Sequence, residues 1–549
     1  MSTDTGKSRI RVPSTEISFE EISRTDREAV LGALRRGATR REVMGWLMAM
    51  GATVATAGSI VTAAGKALAQ TPKRGGSLRC AMALHGPSDT LDPQLVTSAI
   101  DYVRGRATYN NLVQLDDDIV PQPELAEEFS PSDNAREWTF KLRRDVEFHD
   151  GSKLTADDVV WTMNRHIGEN SISKAKALVS TVKEWKKLDD YTVRAILNSP
   201  NADLPAALGT FHFRILKRET TDFSAPPGTG PFKIKEFKQG VRSVHERNDN
   251  YWRSGGPNLD ELEIFGITDS VARVNALLAG DINMMSQLDP KAIKQVEAAP
   301  GFEVLSVPSG AYMSIVCMRD KSPGNNHDFV EAMKFLQRRE RIVKSILKGH
   351  GTVGNDHPIS SAYPDHCADL AQRPHDPEKA KFHLKKSGVT SVDMQVAEVD
   401  SGITDIALIT QREAAKIGLN INVKKMPIDG YWGAIWMKTP LHVASWNMRP
   451  TANVMLTLAF APDAAWNDSQ WKNERMGKLL VDSRAELDPA KRKEMYCEMQ
   501  RLISQESGII IPAHRNYVDG LSNKVKGLRR LPLEALGGAE WPEFAWLDA

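Results

Sequence analysis

The sequence predicts an α/β protein built of two or three lobes, and three observations lead to this fold class. The chain has 549 residues, which is more than a single hydrophobic core usually serves. From about residue 225 onwards, strand-like and helix-like segments alternate, which favours sheets covered by helices. Hydrophobic residues make up 41% of the chain and charged residues 26%, as in ordinary soluble globular proteins.

The first predicted strands lie on either side of an Asp-Pro turn. In KRGGSLRCAMAL, Lys73 to Leu84, a Gly-Gly turn leads into a strand-like run, and TLDPQL, Thr90 to Leu95, breaks it. The stretch WTFKLRRDVEFHDG, Trp138 to Gly151, alternates apolar and polar residues and ends in an Asp-Gly turn. This alternation predicts a pair of strands joined by a tight turn.

A helix is predicted directly after this turn, in LTADDVVWTMNRHI. Thr155 is suited to the N-cap, and Asp157 and Asp158 fall in the first turn, where carboxylates favour the helix dipole. Together with His149 and Asp150 they also resemble an acid/base cluster. Because the spacing suits a turn followed by a helix start, we expect a structural role for these four side chains and no catalysis.

Later segments alternate between strand and helix. APPGTGPFKIKEF, Ala225 to Phe237, is a Pro/Gly-rich connector that enters a strand and marks a domain crossing. VARVNALLAGDINMM predicts a helix, a glycine stop and a strand, and EKAKFHLKKSG predicts a helix capped by glycine. LITQREAAKIGLNINVKKM predicts a helix that leads into a strand.

The amino terminus has the layout of a secretory signal. Two arginine pairs, Arg35-Arg36 and Arg40-Arg41, precede the uncharged run Val43–Ala64, and an A-x-A pattern ends at Ala69. TRREVM resembles the twin-arginine export signal. We therefore expect residues 1–69 to be a cleaved signal peptide and the protein to be periplasmic. The alternative is an uncleaved anchor, since 22 uncharged residues just span a bilayer.

Composition and motifs exclude several classes of function. A formal net charge of +1 provides no field that would attract nucleic acid. The sequence has no C-x-x-C, H-E-x-x-H or P-loop pattern, and its 13 histidines include no i,i+4 pair. We expect no metal site and no cofactor. The four cysteines, Cys80, Cys317, Cys367 and Cys497, predict buried free thiols, with one disulfide as the alternative.

A series of segments resembles the family-5 solute-binding proteins of ABC importers, which include dipeptide, oligopeptide, nickel and opine or oligosaccharide receptors. The resemblance runs from about Gly75 to Gly527. It is carried, in order, by TLDPQL, PELAEEF, WTFKLRRDVEFHDGSKLTADDVVWTMNR, GTGPFKIKEF, HERNDNYWRSGGPNLDELEI, VARVNALLAGDIN and HDPEKAKFHLKKSG. Each segment alone is weak, and their number and order make the family assignment strong.

The resemblance implies a type II periplasmic-binding-protein fold of the cluster C type, with two lobes, a hinge and an extra inserted domain. The first lobe is then built from residues 70–114, 226–315 and 511–549, with the inserted domain at 115–225 and the second lobe at 316–510.

The resemblance also implies a monomer that traps a peptide-like, opine-like or oligosaccharide-like solute between closing lobes and delivers it to a membrane permease. No catalysis is required. The alternatives are a receptor for a metal chelate or haem, an exported enzyme, and a sensory receptor without its own permease.

One position departs from the peptide-binding pattern of this family. Peptide-binding members follow a strand-end tryptophan with an aspartate that receives the peptide ammonium, whereas here Trp446 is followed by Asn447 and then Arg449. An arginine would repel an ammonium and attract carboxylate, phosphate or hydroxyl groups. We therefore expect Arg449 to bind such a group. The alternative is that it pairs with a protein carboxylate or points to solvent.

Further ligand-binding candidates follow from matching positions in the family. Tyr431 and Trp432 match an aromatic pocket wall, with core packing as the equal alternative. The remaining candidates are polar or aromatic groups expected to line the cleft or the crossing between lobes, namely Ser98, Ser286, Gln287, Tyr312 and His514.

Overall fold

The computed structural model describes residues 72–427 and 430–548, together with residues 30, 40–49 and 60. The chain divides into two compact units, Met1–Lys73 and Arg74–Ala549. In the smaller unit the described element is the helix Arg40–Ala49, and most of the predicted signal peptide lies outside the described residues. None of the described helices is long and apolar enough to cross a membrane.

The larger unit contains nineteen described strands. In chain order they are β1 Ser77–Met82, β2 Val113–Leu115, β3 Pro121–Pro123, β4 Ala126–Pro131, β5 Glu137–Leu142, β6 Val182–Asp189, β7 Thr192–Leu197, β8 Phe232–Lys238, β9 Arg242–Arg247, β10 Glu261–Gly266, β11 Met284–Met285, β12 Phe302–Cys317, β13 Gly351–Val353, β14 Ser391–Val396, β15 Asn420–Lys425, β16 Leu441–Trp446, β17 Ile509–Ser522, β18 Val525–Lys526 and β19 Trp546–Leu547.

Helices alternate with these strands along the larger unit. The described α-helices are Ala99–Thr108, Ala156–Asn164, Leu204–Leu208, Ser270–Ala279, Ile293–Ala298, His327–Phe335, Arg339–Ser345, Pro377–Ser387, Ile403–Lys416, Tyr431–Ala434, Ala452–Phe460, Glu474–Ala485, Pro489–Glu506 and Ala535–Gly538.

Eleven strands form one sheet that runs through the larger unit. Its order is β15-β14-β16-β12-β17-β11-β1-β10-β9-β8, and β13 pairs with β17 outside this path. Strand β1 is parallel to β10 and β11, and β14 is parallel to β15 and β16. We call the half with β1 and β8–β11 the first lobe and the half with β14–β16 the second lobe. The predicted α/β class is confirmed.

The long strands β12 and β17 connect the two lobes. They pair antiparallel from Phe302 opposite Ser522 to Val316 opposite Ile509, and the register shifts between Val307 and Ala311. Beyond this shift β12 also pairs with β16 of the second lobe. Both strands therefore cross between the lobes, and the irregular register lies at the crossing.

A separate four-stranded sheet, with the order β4-β5-β7-β6, lies within residues 126–197. Its apolar side packs on the helix Ala156–Asn164 and buries Phe140, Trp185 and Val159. We call this part of the chain the four-stranded domain. It falls inside the range predicted for the inserted domain, although the predicted boundaries themselves stay a prediction.

Local sequence signals correctly located several elements. The helix Ala156–Asn164 begins after Thr155, whose backbone N–H donates to the Asp158 carboxylate at 2.9 Å. The predicted glycine stops are confirmed at Gly280 and Gly388, both in the left-handed region. The predicted strand pair in WTFKLRRDVEFHDG is half right. Its first half is β5, but its second half is reduced to one bridge between Glu147 and Lys153, because β5 pairs with β4 and β7 instead.

The prediction of four free thiols is wrong for two of the cysteines. Cys367 and Cys497 form a disulfide across 130 residues of sequence, with their Cα atoms 4.9 Å apart. Cys80 and Cys317 are free and buried, as predicted. The bridge attaches the helix Pro489–Glu506 to the segment that follows β13.

A buried cluster of charges fastens the end of the chain to the first lobe. Arg106, on the helix Ala99–Thr108, lies 2.6 Å from Glu124 and 2.9 Å from Glu540, and it also pairs with Glu543. Burial alone would raise the pKa of Glu124, but Arg106, Arg253 and Arg214 hold it below its ordinary value. Each charge is thus compensated within the cluster.

Replacing Arg106 should strongly destabilise the fold. The variant Arg106→Met leaves carboxylates buried beside too few cations, and losing one partner of a buried pair typically costs about 3–5 kcal/mol. We expect a decrease of this size in the free energy of unfolding, measured by urea denaturation. The control Lys141→Met removes an exposed pair with Glu128 and should change little. Equal effects of the two variants would contradict a structural role for the cluster.

Candidate functional site

A cavity of about 820 Å3 opens between the two lobes and the four-stranded domain. The first lobe contributes Val96, Thr97 and Tyr102, and the segment after β17 contributes Leu533 and Glu534. The rest of the lining comes from within residues 174–178, 210–212 and 447–466. Segments far apart in sequence thus surround a single space large enough for a small solute.

The loop after β16 is held in place by hydrogen bonds to neighbouring elements. The Asn447 side-chain oxygen accepts from Arg515 at 3.0 Å, and Arg515 is itself paired with Asp400 at 2.7 Å. The backbone N–H of Arg449 donates to the Tyr363 hydroxyl at 3.0 Å. These hydrogen bonds hold the backbone of the loop in place, and the Arg449 side chain lines the cavity.

The guanidinium of Arg449 has no carboxylate partner among the described residues. It donates to the Asn447 carbonyl at 3.3 Å and lies 5.7 Å from the centre of the Trp446 ring. The side chain is half-buried and lines the cavity. Within the part of the chain that the structure describes, the bond to Asn447 is the one hydrogen bond of the guanidinium, and its other donors are available to a ligand.

The ring of Trp446 is next to the Arg449 guanidinium and is held by contacts with two other residues. Its Nε1 donates to the Asp468 carboxylate at 3.1 Å, and its ring meets Trp466 edge-on at 6.1 Å. Burial raises the pKa of Asp468 to about 6, while the indole donors of Trp446 and Trp436 oppose the rise. Trp466 itself lines the cavity and is half-exposed, whereas Trp446 is buried and is not among the lining residues.

Two further aromatic side chains line the cavity, and the sequence analysis did not predict them. Tyr102, on the helix Ala99–Thr108, stacks on Phe211 with ring centres 4.2 Å apart, and both rings line the cavity. Tyr102 belongs to an ordinary-looking helix and Phe211 to a loop without a recognisable motif. No local signal distinguishes these rings from core residues, since the two meet only in the folded chain.

His212, next to Phe211, also lines the cavity, and one of its ring nitrogens is hydrogen-bonded within the protein. Its Nε2 lies 3.2 Å from the Val96 carbonyl, and because a carbonyl only accepts, Nε2 carries the proton. Burial lowers the pKa of His212 to about 4, with the Val96 carbonyl opposing and Arg449 adding to the decrease. The ring is therefore neutral near pH 7, and its buried Nδ1, which has no hydrogen-bond partner among the described residues, is an acceptor.

Glu534 provides a carboxylate that sequence reasoning also missed. The residue is 9% exposed and lines the cavity, and its side chain accepts a hydrogen bond from the Ala535 N–H at 2.9 Å. Among the described residues it has no ion-pair partner. Burial raises the pKa of Glu534, while Ala535 and the charge of Arg515 oppose the rise.

Two of the aromatic candidates lie away from this cavity. Tyr431 is 1% exposed within the core of the second lobe, where its hydroxyl lies 3.1 and 3.2 Å from the carbonyl oxygens of Gln395 and Val443 and donates its one hydrogen to this pair of acceptors. Trp432 is 44% exposed and contacts Tyr431 and Trp436 edge-on. Neither ring is among the residues that line the cavity between the lobes.

The polar candidates of the first lobe make contacts within the protein. The Ser286 hydroxyl accepts from the Ala83 N–H at 2.9 Å, and the Gln287 N–H donates to Asp519 at 2.9 Å. Ser98 occupies the N-cap position of the helix Ala99–Thr108 without a side-chain cap hydrogen bond, and its hydroxyl donates to the Asp101 carboxylate at 3.2 Å. None of these three residues lines the cavity, although Val96 and Thr97 just before Ser98 do.

The last two candidates lie on the crossing strands. Tyr312 and His514 are buried opposite each other on β12 and β17, with ring centres 6.1 Å apart. His514 lines a second cavity of about 310 Å3, together with His357 and His366. No group of three or more His, Cys, Asp or Glu side chains in the described ranges is arranged to hold a metal ion.

A sequence profile described as bacterial extracellular solute-binding proteins, family 5 Middle, matches residues 120–467, more than half of the chain. The chain belongs to this family. This confirms the resemblance seen in the sequence. The cavity between the lobes is therefore at the place where periplasmic binding proteins close around their ligand.

Named relatives of the family-5 chain differ in what they are described as binding. A dipeptide-binding protein of Escherichia coli K12 is 26% identical over 494 residues, covering 80% of this chain and 90% of the relative. Heme-binding protein A of Haemophilus influenzae is 25% identical over 487 residues, covering 80% and 88%. These relatives are binding proteins, and their different names do not single out one ligand.

A solved structure confirms the expected fold. The PBP AgaA in complex with agropinic acid, from A. tumefacien R10, has a TM-score of 0.72 and 22% identity, covering 86% of this chain and 99% of that one. At this identity the likeness concerns the fold alone. The type II-like arrangement of two lobes is thereby established for the family-5 chain.

Asp519 is a buried carboxyl group that is hydrogen-bonded to two backbone N–H groups. Its protonation makes the stability of the fold depend on pH. Its carboxylate accepts from the N–H groups of Leu536 and Gln287 at 2.6 and 2.9 Å. Burial raises its pKa to about 7, these two donors oppose the rise, and Glu534 adds to it. The folded protein therefore keeps a proton on Asp519 that the unfolded chain loses near pH 4.

The contribution of Asp519 to the stability of the protein should consequently fall as the pH rises from about 4 to about 7, because in this window the folded state holds a proton that the unfolded chain has lost. The variant Asp519→Asn lacks this contribution. The free energy of unfolding of the variant minus that of the wild type should therefore rise as the pH increases from about 4 to about 7. Urea denaturation at a series of pH values measures the difference. Asp133→Asn, which removes an exposed carboxylate, is the control, and parallel profiles for wild type and Asp519→Asn would contradict the prediction.

Proposed function

We propose that the protein is a periplasmic receptor of an ABC importer that captures a small solute through an acidic or hydroxyl-rich group and delivers it to a membrane permease. The observation that carries this proposal is the half-buried Arg449, which lines the cavity without a carboxylate partner among the described residues. A guanidinium offers forked donors that suit carboxylate, phosphate and paired hydroxyl groups.

The surroundings of Arg449 support this assignment. The loop that carries it is fixed by hydrogen bonds from Arg515 and to Tyr363, so little ordering is needed when a ligand arrives. The rings of Trp466, Tyr102 and Phe211 line the same cavity and offer apolar surface to a sugar face or an aliphatic skeleton. An opine-like, acidic-sugar or modified-peptide solute suits both features.

The proposal includes no chemical step, and the protein acts as a binding protein only. In this scheme residues 1–69 form a twin-arginine signal peptide that directs the chain to the periplasm, where it works as a monomer. When the purified protein is incubated with a solute that it binds, and the solute is then released, mass spectrometry should find that solute chemically unchanged.

The role of Arg449 is tested by binding measurements on the solute that co-purifies from the native periplasm. Once mass spectrometry has identified that solute, isothermal titration calorimetry compares wild type with Arg449→Ala. We expect binding to weaken by about 1.5–3 kcal/mol, the usual scale for a charge-assisted hydrogen bond.

Lys174→Ala is the matched comparison, because Lys174 is a second cation that lines the same cavity but is exposed at its rim. Its replacement should weaken binding less than that of Arg449, since exposed charges are screened by water. Unchanged affinity of Arg449→Ala would refute the proposal, and so would a co-purifying solute without acidic or hydroxyl groups.

A further inference from the structure

Strand β12 has a bulge where it crosses between the two lobes. Between Val307 and Ala311, three residues of β12 lie opposite a single residue of β17. We call these three residues, 308–310, the β12 bulge. Pro308 has no N–H group to donate to a neighbouring strand, and a bulge bends its strand locally. The β12 bulge is therefore the place where the crossing strand departs from the regular ladder.

Gly310 of the β12 bulge contacts the loop after β16 directly. Its N–H donates to the Met448 sulfur at 3.0 Å, and Met448, which precedes Arg449 in the chain, lines the cavity. A Cβ atom added at Gly310 would lie 3.0 Å from Met448 Cγ and 2.4 Å from Tyr363 Cε2. A larger residue at this position would thus displace its neighbours, and glycine allows the bulge and the loop to lie in contact.

Tyr363, in the segment after β13, contacts both the β12 bulge and the loop after β16. Its ring packs against Gly310, and its hydroxyl accepts the hydrogen bond from the Arg449 N–H at 3.0 Å. The side chain is buried. The Tyr363 N–H donates to the Ser360 carbonyl at 3.0 Å, and the Ser360 hydroxyl donates to the carbonyl of Ser309 in the bulge at 2.9 Å. The tyrosine is therefore attached to the bulge through its ring and through its backbone.

Arg515 of β17 provides another connection between the same two segments. Its carbonyl accepts from the Ser309 hydroxyl of the bulge at 2.7 Å, and its guanidinium donates to the Asn447 side chain of the loop at 3.0 Å. Asp400 holds this guanidinium at 2.7 Å. The β12 bulge and the loop after β16 are thus joined through Met448, Tyr363 and Arg515.

We propose that Tyr363 is a positioning residue that couples the bend of β12 to the position of Arg449. Hinge motions are absorbed by a few residues where regular structure is interrupted, and the β12 bulge is such an interruption at the crossing between the lobes. A change of the bend then moves the loop that carries Arg449, and a ligand held by Arg449 restrains the bend. The ligand-binding part of this inference rests on the proposed function, whereas the coupling is a property of the protein without ligand.

The test measures amide hydrogen exchange in the purified, dialysed protein without added solute, by mass spectrometry of two peptides. One peptide covers the loop after β16 and the other covers the β12 bulge. The variant Tyr363→Phe keeps the ring against Gly310 and removes the acceptor of the Arg449 N–H. We expect exchange to become about fivefold faster or more in both peptides, the scale that the loss of one buried hydrogen bond gives.

Tyr431→Phe is the matched control, because it also removes a buried hydroxyl from the second lobe, but one that is bonded to Gln395 and Val443. It should leave both peptides at the wild-type rate. Faster exchange of the loop peptide alone in Tyr363→Phe overturns the coupling, and so does an unchanged rate in both peptides. The same acceleration in Tyr431→Phe also overturns it, because the effect would then be a general loss of packing.

A second variant approaches the contact from the bulge. In Gly310→Ala the added methyl group meets the Tyr363 ring, so exchange should become faster in the loop peptide although the loop sequence is unchanged. Gly86→Ala, whose added Cβ has no atom within 4 Å, is the control and should leave the rate unchanged. A loop peptide that exchanges at the wild-type rate in Gly310→Ala contradicts the inference.

Failure of the proposed function gives a different result. If calorimetry finds full affinity in Arg449→Ala, the arginine is not the ligand contact, but that variant retains the backbone N–H that Tyr363 accepts. The exchange rates of Tyr363→Phe and Gly310→Ala then still decide whether the bulge and the loop are coupled.

Discussion

The pairing of β12 with β17 is the constraint on which the rest of the molecule depends. These strands run side by side through the centre of the eleven-stranded sheet and join its two halves. Two of the segments that line the cavity depend on this pair, because β12 pairs with β16, which leads to the loop with Arg449, and β17 leads to the segment with Glu534. Tyr312 opposite Trp446 lies where this ladder reaches the second lobe, next to the irregular register between Val307 and Ala311.

Charge placement in the cavity follows from this arrangement. The loop with Arg449 is fixed through Arg515, a residue of β17, so the same strand that leads to Glu534 also anchors the opposite wall. The comparison with peptide-binding sequences indicated that an amine-binding acid is missing after Trp446. In the folded chain the cavity does contain a buried carboxylate, Glu534, but the segment after β17 contributes it and not the loop after Trp446.

The sequence alone predicted what depends on neighbours in the chain. Thr155 with Asp158, and the glycines at 280 and 388, act within one helical turn, and these elements were located correctly. Arg449 was singled out because it lies three residues after the recognisable Trp446, and it lines the cavity, although its contact with a ligand stays a prediction. Long-range contacts escaped prediction, as for the disulfide between Cys367 and Cys497. Glu534 escaped for the same reason, since LPLEALGG contains no pattern that distinguishes a cavity carboxylate from a surface one.

The buried cluster around Arg106 joins parts of the chain that are far apart in sequence. Its partners Glu540 and Glu543 lie more than 400 residues after the helix that carries Arg106. Proteolytic removal of the segment with these two carboxylates would leave Arg106 buried with Glu124 as its remaining described partner. The first lobe is therefore sensitive to a cut far from its own helix, and loss of that segment would weaken the wall of the cavity without touching a residue that lines it.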